Sequence, residues 1–260
     1  TAPSGVGFGA LRISEPRALG APGRPVNAVN KGFRPGHVPP AVVMRRALNA
    51  TTTVRRDRVE RADHSCIHGR DHDGSQTTVV KCKVVAVGAG SLGSGVIEML
   101  AKAGIGDLYI VDPGTLAWEN LSRHELDATQ VGISKAKGLA EKLAKGMPHL
   151  PRITPAYTAM APGADLDWER VRSADLIIST SGNWACDSFL CDLQGAGEIG
   201  SVLYGWVEPH IAAAHAAYLP SGGACLRCGM TENGRPHVPV TTWPDGGLVR
   251  VPACGGAFTP

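Results

Sequence analysis

The chain has 260 residues, 43% of them hydrophobic and 19% charged, which excludes global disorder and fits one large α/β domain or two small ones. The formal net charge of +3 is too small to imply a nucleic-acid partner, and aromatic residues at 5% argue against a base-stacking platform or a β-sandwich. No apolar run is long enough to span a bilayer, so no membrane partner is expected.

The basic surplus sits at the front: residues 1–80 hold twelve Lys and Arg against six Asp and Glu. Residues 1–50 are rich in Pro, Gly, Ala and Arg and keep no helical or strand period beyond the short run 41–44. The expected organisation is an irregular N-terminal extension, linker or end of a preceding domain over 1–60, and one domain over 61–260. Residue 1 is Thr and the chain stops at Pro260, so a fragment truncated at its C-terminus is expected. Of seven cysteines, Cys225 and Cys228 are spaced as a metal or redox pair rather than a disulfide framework, which makes a cytoplasmic setting the default.

Residues 83–87 are β-branched and continuously apolar, as in a strand buried on both faces. Residues 92–103 place Leu92, Val96, Met99, Leu100 and Ala103 at helical spacing, and 108–111 form a second strand ending at Asp112. A further helix is expected over 134–145 with Ser134 as its cap, then a short amphipathic piece over 166–172. A strand over 175–179, a helix over 184–194 and two strands over 201–207 and 211–219 follow. From Pro220 onward Gly, Pro and Cys suggest a site-bearing loop. Strands alternating with helices imply a doubly wound, Rossmann-like α/β sheet. Cys82, Cys186 and Cys191 are expected in the core.

Gly88, Gly90 and Gly93, with Ala89, Ser91 and Leu92 between them, make a G-x-G-x-x-G turn after a strand and before a helix. Such a turn lets a phosphate approach the backbone N–H groups and the positive end of the helix. Asp112, 19 positions beyond Gly93, can accept hydrogen bonds from ribose hydroxyls. This pairing alone does not separate an NAD(P)-dependent oxidoreductase from an ATP enzyme. Two cations downstream, Arg123 and Lys135, favour the latter, because charge builds on a triphosphate as pyrophosphate leaves.

The glycine loop, Asp112, the run Asn120-Leu121-Ser122-Arg123-His124 and the segment from Gly132 to Lys135 together resemble the ThiF/MoeB-type and ubiquitin-activating enzymes. The resemblance covers about residues 60–260 and is closest in wording to bacterial members from antiphage or ubiquitin-like conjugation operons. It implies ATP-dependent adenylation of the C-terminal glycine of a ubiquitin-like or sulfur-carrier protein, a homodimer, and a conjugating-enzyme-like domain or partner. It implies that Asp112 holds the ribose, that Asn120, Arg123 and Lys135 grip the phosphates, and that Asn183 belongs to the same site. Cys225 and Cys228 correspond to the first half of a structural Zn²⁺ site. Cys254 falls where thioester-forming members place the attacking thiol, and a metal-ligand or inert role for it stays open. Many members carry an Asp that helps bind Mg²⁺ where this chain has Gly182, so Mg²⁺ is expected on Asp187 or on the phosphates alone. That departure also keeps alive a non-catalytic scaffold that binds a ubiquitin-like protein.

Overall fold

The computed structural model describes residues 10–13, 39, 41–42, 54–57, 60–69, 73–208, 211–241, 249–250 and 257–258. The chain divides into two compact units, Thr1–Arg61 and Ala62–Pro260. In the first, β1 (Ala10–Ile13) pairs antiparallel with β2 (Val54–Asp57), Ala10 opposite Asp57.

The second unit opens with two short helices, α1 (His64–His68) and α2 (Gln76–Val79). Then come β3 (Lys83–Val87), α3 (Ser91–Lys102), β4 (Asp107–Val111), α4 (Lys135–Gly146) and β5 (Arg152–Ala156). They are followed by α5 (Trp168–Arg172), β6 (Leu176–Ser179), α6 (Trp184–Gly195), β7 (Val202–Val207) and β8 (Ala214–Leu219). A short antiparallel pair, β9 (Val249–Arg250) with β10 (Ala257–Phe258), completes the described strands.

The six strands from β3 to β8 form one sheet in the order β5-β4-β3-β6-β7-β8. All neighbours run parallel except β7 and β8, which pair antiparallel with Trp206 opposite His215. The chain winds outward from β3 in both directions, so the sheet is doubly wound and its direction of winding reverses between β3 and β6. A crevice opens beyond the strand ends at such a reversal.

Each central strand is buried on both faces, and its period of two divides its side chains between two cores. Val84, Ala86, Leu108, Ile110 and Ile178 face a layer with Ile97 and Ala101 of α3 and Ala136, Leu139, Ala140 and Leu143 of α4. Val85, Val87, Tyr109, Val111 and Ile177 face the other layer, with Val171 of α5 and Leu190, Cys191 and Leu193 of α6. Burying a side chain such as Leu139 or Leu190 fully contributes about 1.5–3 kcal/mol. This two-sided packing holds the crevice end of the sheet in place.

The sequence pattern missed β5, because Arg152-Ile153-Thr154-Pro155-Ala156 carries a proline and no apolar run. It is the edge strand, where a proline is tolerated. The strand expected over 211–219 begins only at Ala214, because the chain turns at Ile211, whose φ is +59°. Cys186 and Cys191 are buried as expected, whereas Cys82 lies half-buried in the turn before β3, its thiol donating to the Thr78 carbonyl.

Candidate functional site: a cleft at the reversal of the sheet

The β3–α3 turn shows why its residues are glycine. Gly88 has φ +91°, and a Cβ there would stand 2.8 Å from the Thr180–Ser181 backbone of the neighbouring β6 turn. A Cβ on Gly93 would stand 2.0 Å from the Gly88 carbonyl oxygen and 2.5 Å from Thr180 Oγ1. The first turn of α3 therefore sits directly on the loop. Gly90 caps α3 with no side-chain hydrogen bond, and nothing lies within 4 Å of the Cβ position it leaves open. The space beside Gly90, at the positive end of a twelve-residue helix, is therefore open.

Asp112, 8% exposed, closes the β4 side. Its Oδ2 accepts from Ala89 N–H and its Oδ1 from Gly114 N–H, both at 2.6 Å. Each oxygen keeps a lone pair for a further donor. The next loop folds as a short 3₁₀ turn, Trp118–Asn120, in which buried Asn120 accepts from Ala117 N–H at 3.0 Å. His124 ties this loop to the glycine turn. Its Nδ1 accepts from Leu126 N–H at 3.1 Å, so the ring proton is on Nε2 and is donated to the Ala89 carbonyl at 2.7 Å. Burial holds His124 below the usual imidazole range, against the pull of that backbone hydrogen bond.

Lys135 is the first residue of α4, after the cap Ser134. A cation there opposes the helix dipole, so it weakens the helix while adding to the local pull on an anion. Among the described residues no ion pair joins its ammonium.

These groups border one cleft of about 560 Å³. Gly88, Gly90, Ser91, Leu92, Asp112, Asn120, Arg123 and Lys135 all line it, so eight of the residues singled out from sequence meet here. Gly93 lies behind the loop, outside the lining, and Asn183 is turned to α6, where its Oδ1 caps the helix by accepting from Ala185 and Cys186 N–H. Ser181 and Gly182 form the wall in its place. Trp206, Val207 and Ile211, which the sequence pattern did not single out, make an apolar end at β7. Only the topology, with β7 beside β6, brings them there.

Asp187 does not border the cleft. Burial pushes its carboxyl up against hydrogen bonds from Ser179 Oγ at 2.5 Å and Ser181 Oγ at 3.1 Å. Asp112, already holding two N–H groups, is the one carboxylate among the described lining residues.

Cys225 stands just before the 3₁₀ turn Leu226–Gly229 and Cys228 lies within it; the turn packs against α6. Burial raises the Cys225 thiol, but the Arg227 N–H and contacts with Cys191 and Cys228 outweigh it and leave the thiol below its usual range. Cys191 thus faces the pair from α6 as well as filling the core. Burial pushes the Cys186 thiol up to about 12, which leaves it inert. Cys254 lies outside the described residues. Among the described residues no three His, Cys, Asp or Glu side chains are grouped so that they could hold a metal ion, and no helix is long and apolar enough to cross a membrane.

A glycine turn, a strand-end Asp and two cations around one cleft at the reversal of the winding define a doubly wound, Rossmann-like α/β protein. The profile of the ThiF family matches residues 67–242, and the chain belongs to that family. Over 107 residues it is 37% identical to the ATP-dependent ubiquitin transferase-like protein Cap2 of Enterobacter hormaechei subsp. hoffmannii, covering 39% of this chain and 17% of that one. It is 29% identical over 167 residues to the adenylyltransferase and sulfurtransferase UBA4 of Yarrowia lipolytica, covering 64% and 41%. It is 35% identical over 121 residues to the molybdopterin-synthase adenylyltransferase of Escherichia coli, covering 46% and 47%. The chain spans less than half the length of each of these relatives.

Proposed function

We propose that this chain is the adenylation unit of an activating enzyme, which uses ATP to adenylate the C-terminal glycine of a ubiquitin-like or sulfur-carrier protein. The observation that carries this reading is the convergence of Arg123 and Lys135 on the cleft that the uncapped N-terminus of α3 faces. Two cations and a helix N-terminus are more than a nicotinamide dinucleotide requires. They suit a group on which negative charge accumulates.

The space over Gly90 and the lone pairs of Asp112 fit a nucleotide laid along the β3–β4 edge. The α3 N–H groups would receive phosphate oxygens, and Asp112 the ribose hydroxyls. Asn120, Arg123 and Lys135 would hold the outer phosphates. The incoming carboxylate is already ionised and needs no general base. Its oxygen bonds to the α-phosphorus as the bond to the β-phosphate oxygen breaks, releasing pyrophosphate. The chain's contribution is orientation and charge neutralisation.

One carboxylate among the described lining residues is a poor donor set for Mg²⁺, so we assign that ion to the phosphates and route no step through the protein's own ligands. Cys225 and Cys228 would clip a structural Zn²⁺, with Cys191 nearby as a third thiol. Cys254 would take the acyl group as a thioester. Thr241 Oγ1 bonds Glu208, next to cleft-lining Val207, and Cys254 follows thirteen residues later, a span of up to about 45 Å when extended. A homodimer, a conjugating-enzyme-like partner and a cytoplasmic setting complete the reading. Gly182, in the lining where many members of the family carry an Asp, also favours a second reading, a scaffold that binds a ubiquitin-like protein without turnover.

ATP–pyrophosphate exchange on the full-length protein, with a candidate ubiquitin-like partner, separates the two. Exchange that needs the partner, is lost in Arg123→Ala and survives in Cys254→Ala would support adenylation followed by thiol transfer. Its absence from the wild type with Mg²⁺ and partner present would refute adenylation.

A further inference from the structure

The segment that carries Asn120 and Arg123 is fastened to the glycine turn through one ring. Its far end is seated in the core. Leu126 is 2% exposed, and α4 makes room for it at Gly138, where a Cβ would stand 2.7 Å from Leu126 Cδ1. The Glu125 carbonyl accepts from Lys142 Nζ of α4 at 2.7 Å. From this anchor His124 reaches the turn: its Nδ1 accepts the Leu126 N–H, and its Nε2–H is given to the Ala89 carbonyl. Both ring nitrogens are thus engaged. The ring borders the cleft, yet it keeps neither a donor nor a lone pair for a ligand.

What the ring controls is a peptide plane. A trans peptide holds its C=O and N–H on opposite sides, so the bond at the Ala89 carbonyl sets the direction of the Gly90 N–H. Among the described residues that N–H has no hydrogen-bond partner, and Gly90 lines the cleft. The preceding peptide is held separately, by Ala89 N–H on Asp112 Oδ2 at 2.6 Å. Two successive peptides of the glycine turn therefore hang on two side chains, and one of these is an imidazole, the group that titrates closest to neutral pH.

The link exists only with a neutral ring. A proton added to Nδ1 would set two donors against each other across the 3.1 Å to Leu126 N. One of them must give way, and Leu126 is held in the core, so the ring turns and the Ala89 carbonyl is released. The groups around the ring act in both directions. Burial has the largest influence and, with Lys135 at the start of α4, disfavours the charged form; the Ala89 carbonyl, Asp112 at the end of β4 and Glu125 in the same loop favour it. Burial prevails, so the link is intact at pH 7. We propose that His124 is a positioning residue of the nucleotide site, a proton-sensitive strut that holds the Gly90 N–H in place for a phosphate and lets it go when the ring is charged. The proposal rests on the adenylation reading for the identity of the ligand. Its sign is diagnostic. A ring touching phosphate directly would bind ATP more tightly when charged, whereas a strut makes the site weaker.

The test follows the full chain by ¹⁵N NMR without nucleotide, and by ATP calorimetry with Mg²⁺, from pH 8 down to pH 5.5. Without nucleotide, His124 should carry its proton on Nε2 at pH 8. The Gly90 amide signal should then move with the midpoint of the ring in the wild type and stay still in His124→Gln. His124→Ala should weaken ATP at least about fivefold at pH 8. His124→Gln, whose amide nitrogen can replace the Nε2 donor, should restore most of that loss. It also serves as the reference in which the titration of ATP itself cancels, and wild-type affinity relative to it should fall as the ring charges. A Gly90 signal that ignores the ring, or a relative affinity that stays level or rises on acidification, would overturn the strut, even if His124→Ala fails to fold. A Gly90 signal that follows the ring in a chain that binds no ATP would refute adenylation and leave the strut standing.

Discussion

Gly90 and Gly93 sit three residues apart in one turn, yet the structure assigns them different sensitivities. A methyl group on Gly93 would lie 2.0 Å from a backbone oxygen that cannot move without unseating β3. Overpacking of a fixed core typically costs about 1–3 kcal/mol, and Gly93→Ala should reach the top of that range or exceed it. Gly90 has φ −82°, which alanine adopts freely, and its open Cβ position touches nothing. Gly90→Ala should therefore cost no more than about 1 kcal/mol of stability, the loss of a favourable cap residue. The added methyl group does occupy the space over the helix N-terminus. A phosphate pushed away there loses at least one charge-assisted hydrogen bond of about 1.5–3 kcal/mol, or roughly 10- to 100-fold in affinity. Urea denaturation gives the first quantity and ATP calorimetry the second. Gly90→Ala should unfold near the wild-type midpoint and bind ATP poorly. ATP affinity within twofold of wild type in that variant would refute the placement of phosphate over α3, and a wild-type midpoint for Gly93→Ala would refute the steric argument.

Lys135→Ala removes a cation from a helix N-terminus, so it should stabilise the fold by about 0.3–1 kcal/mol while weakening ATP at least about tenfold; unchanged ATP binding would contradict its role. His124 is half-buried, and that burial holds its folded pKa below its unfolded value of about 6.5. Its contribution is complete above that pH and is lost as pH falls through the folded value. The stability gap between wild type and His124→Gln, measured by denaturation at pH 7.5 and 5.5, should narrow at the lower pH. Arg170 is buried against Asp107 and over the Tyr109 ring, with Nη1 unpartnered. Asp107→Ala strands that charge and should cost about 3–5 kcal/mol, whereas Arg170→Met should cost much less, because Asp107 keeps Arg152 at 3.7 Å. Equal losses in urea melts would count against this asymmetry.

What the sequence made legible follows from how each signal arises. The core strands are buried on both faces, so runs such as Val84-Val85-Ala86-Val87 announce themselves, and the glycine turn is read from steric needs local to it. The eight cleft residues foreseen lie on segments that a βαβ unit brings together by its connectivity. Trp206 and Ile211 were invisible because their place depends on β7 lying beside β6, a long-range fact. Asn183 shows the ambiguity of such a signal: an Asn before a helix also serves as a cap, and its Oδ1 caps α6. β5 lacked any hydrophobic signal because an edge strand is half solvated.

Pro155 carries one more implication. Arg152 N–H bonds Gly106 and the Ala156 carbonyl receives Asp112 N–H, so even-numbered residues of β5 turn their backbone groups toward β4. Pro155, between them, faces away from the sheet, where it offers an acceptor but no donor. A foreign strand aligned on that margin would find its ladder broken midway. The molecule thus carries its own terminator for sheet growth on the β5 flank, and fibre-like stacking through that edge is disfavoured by a single ring.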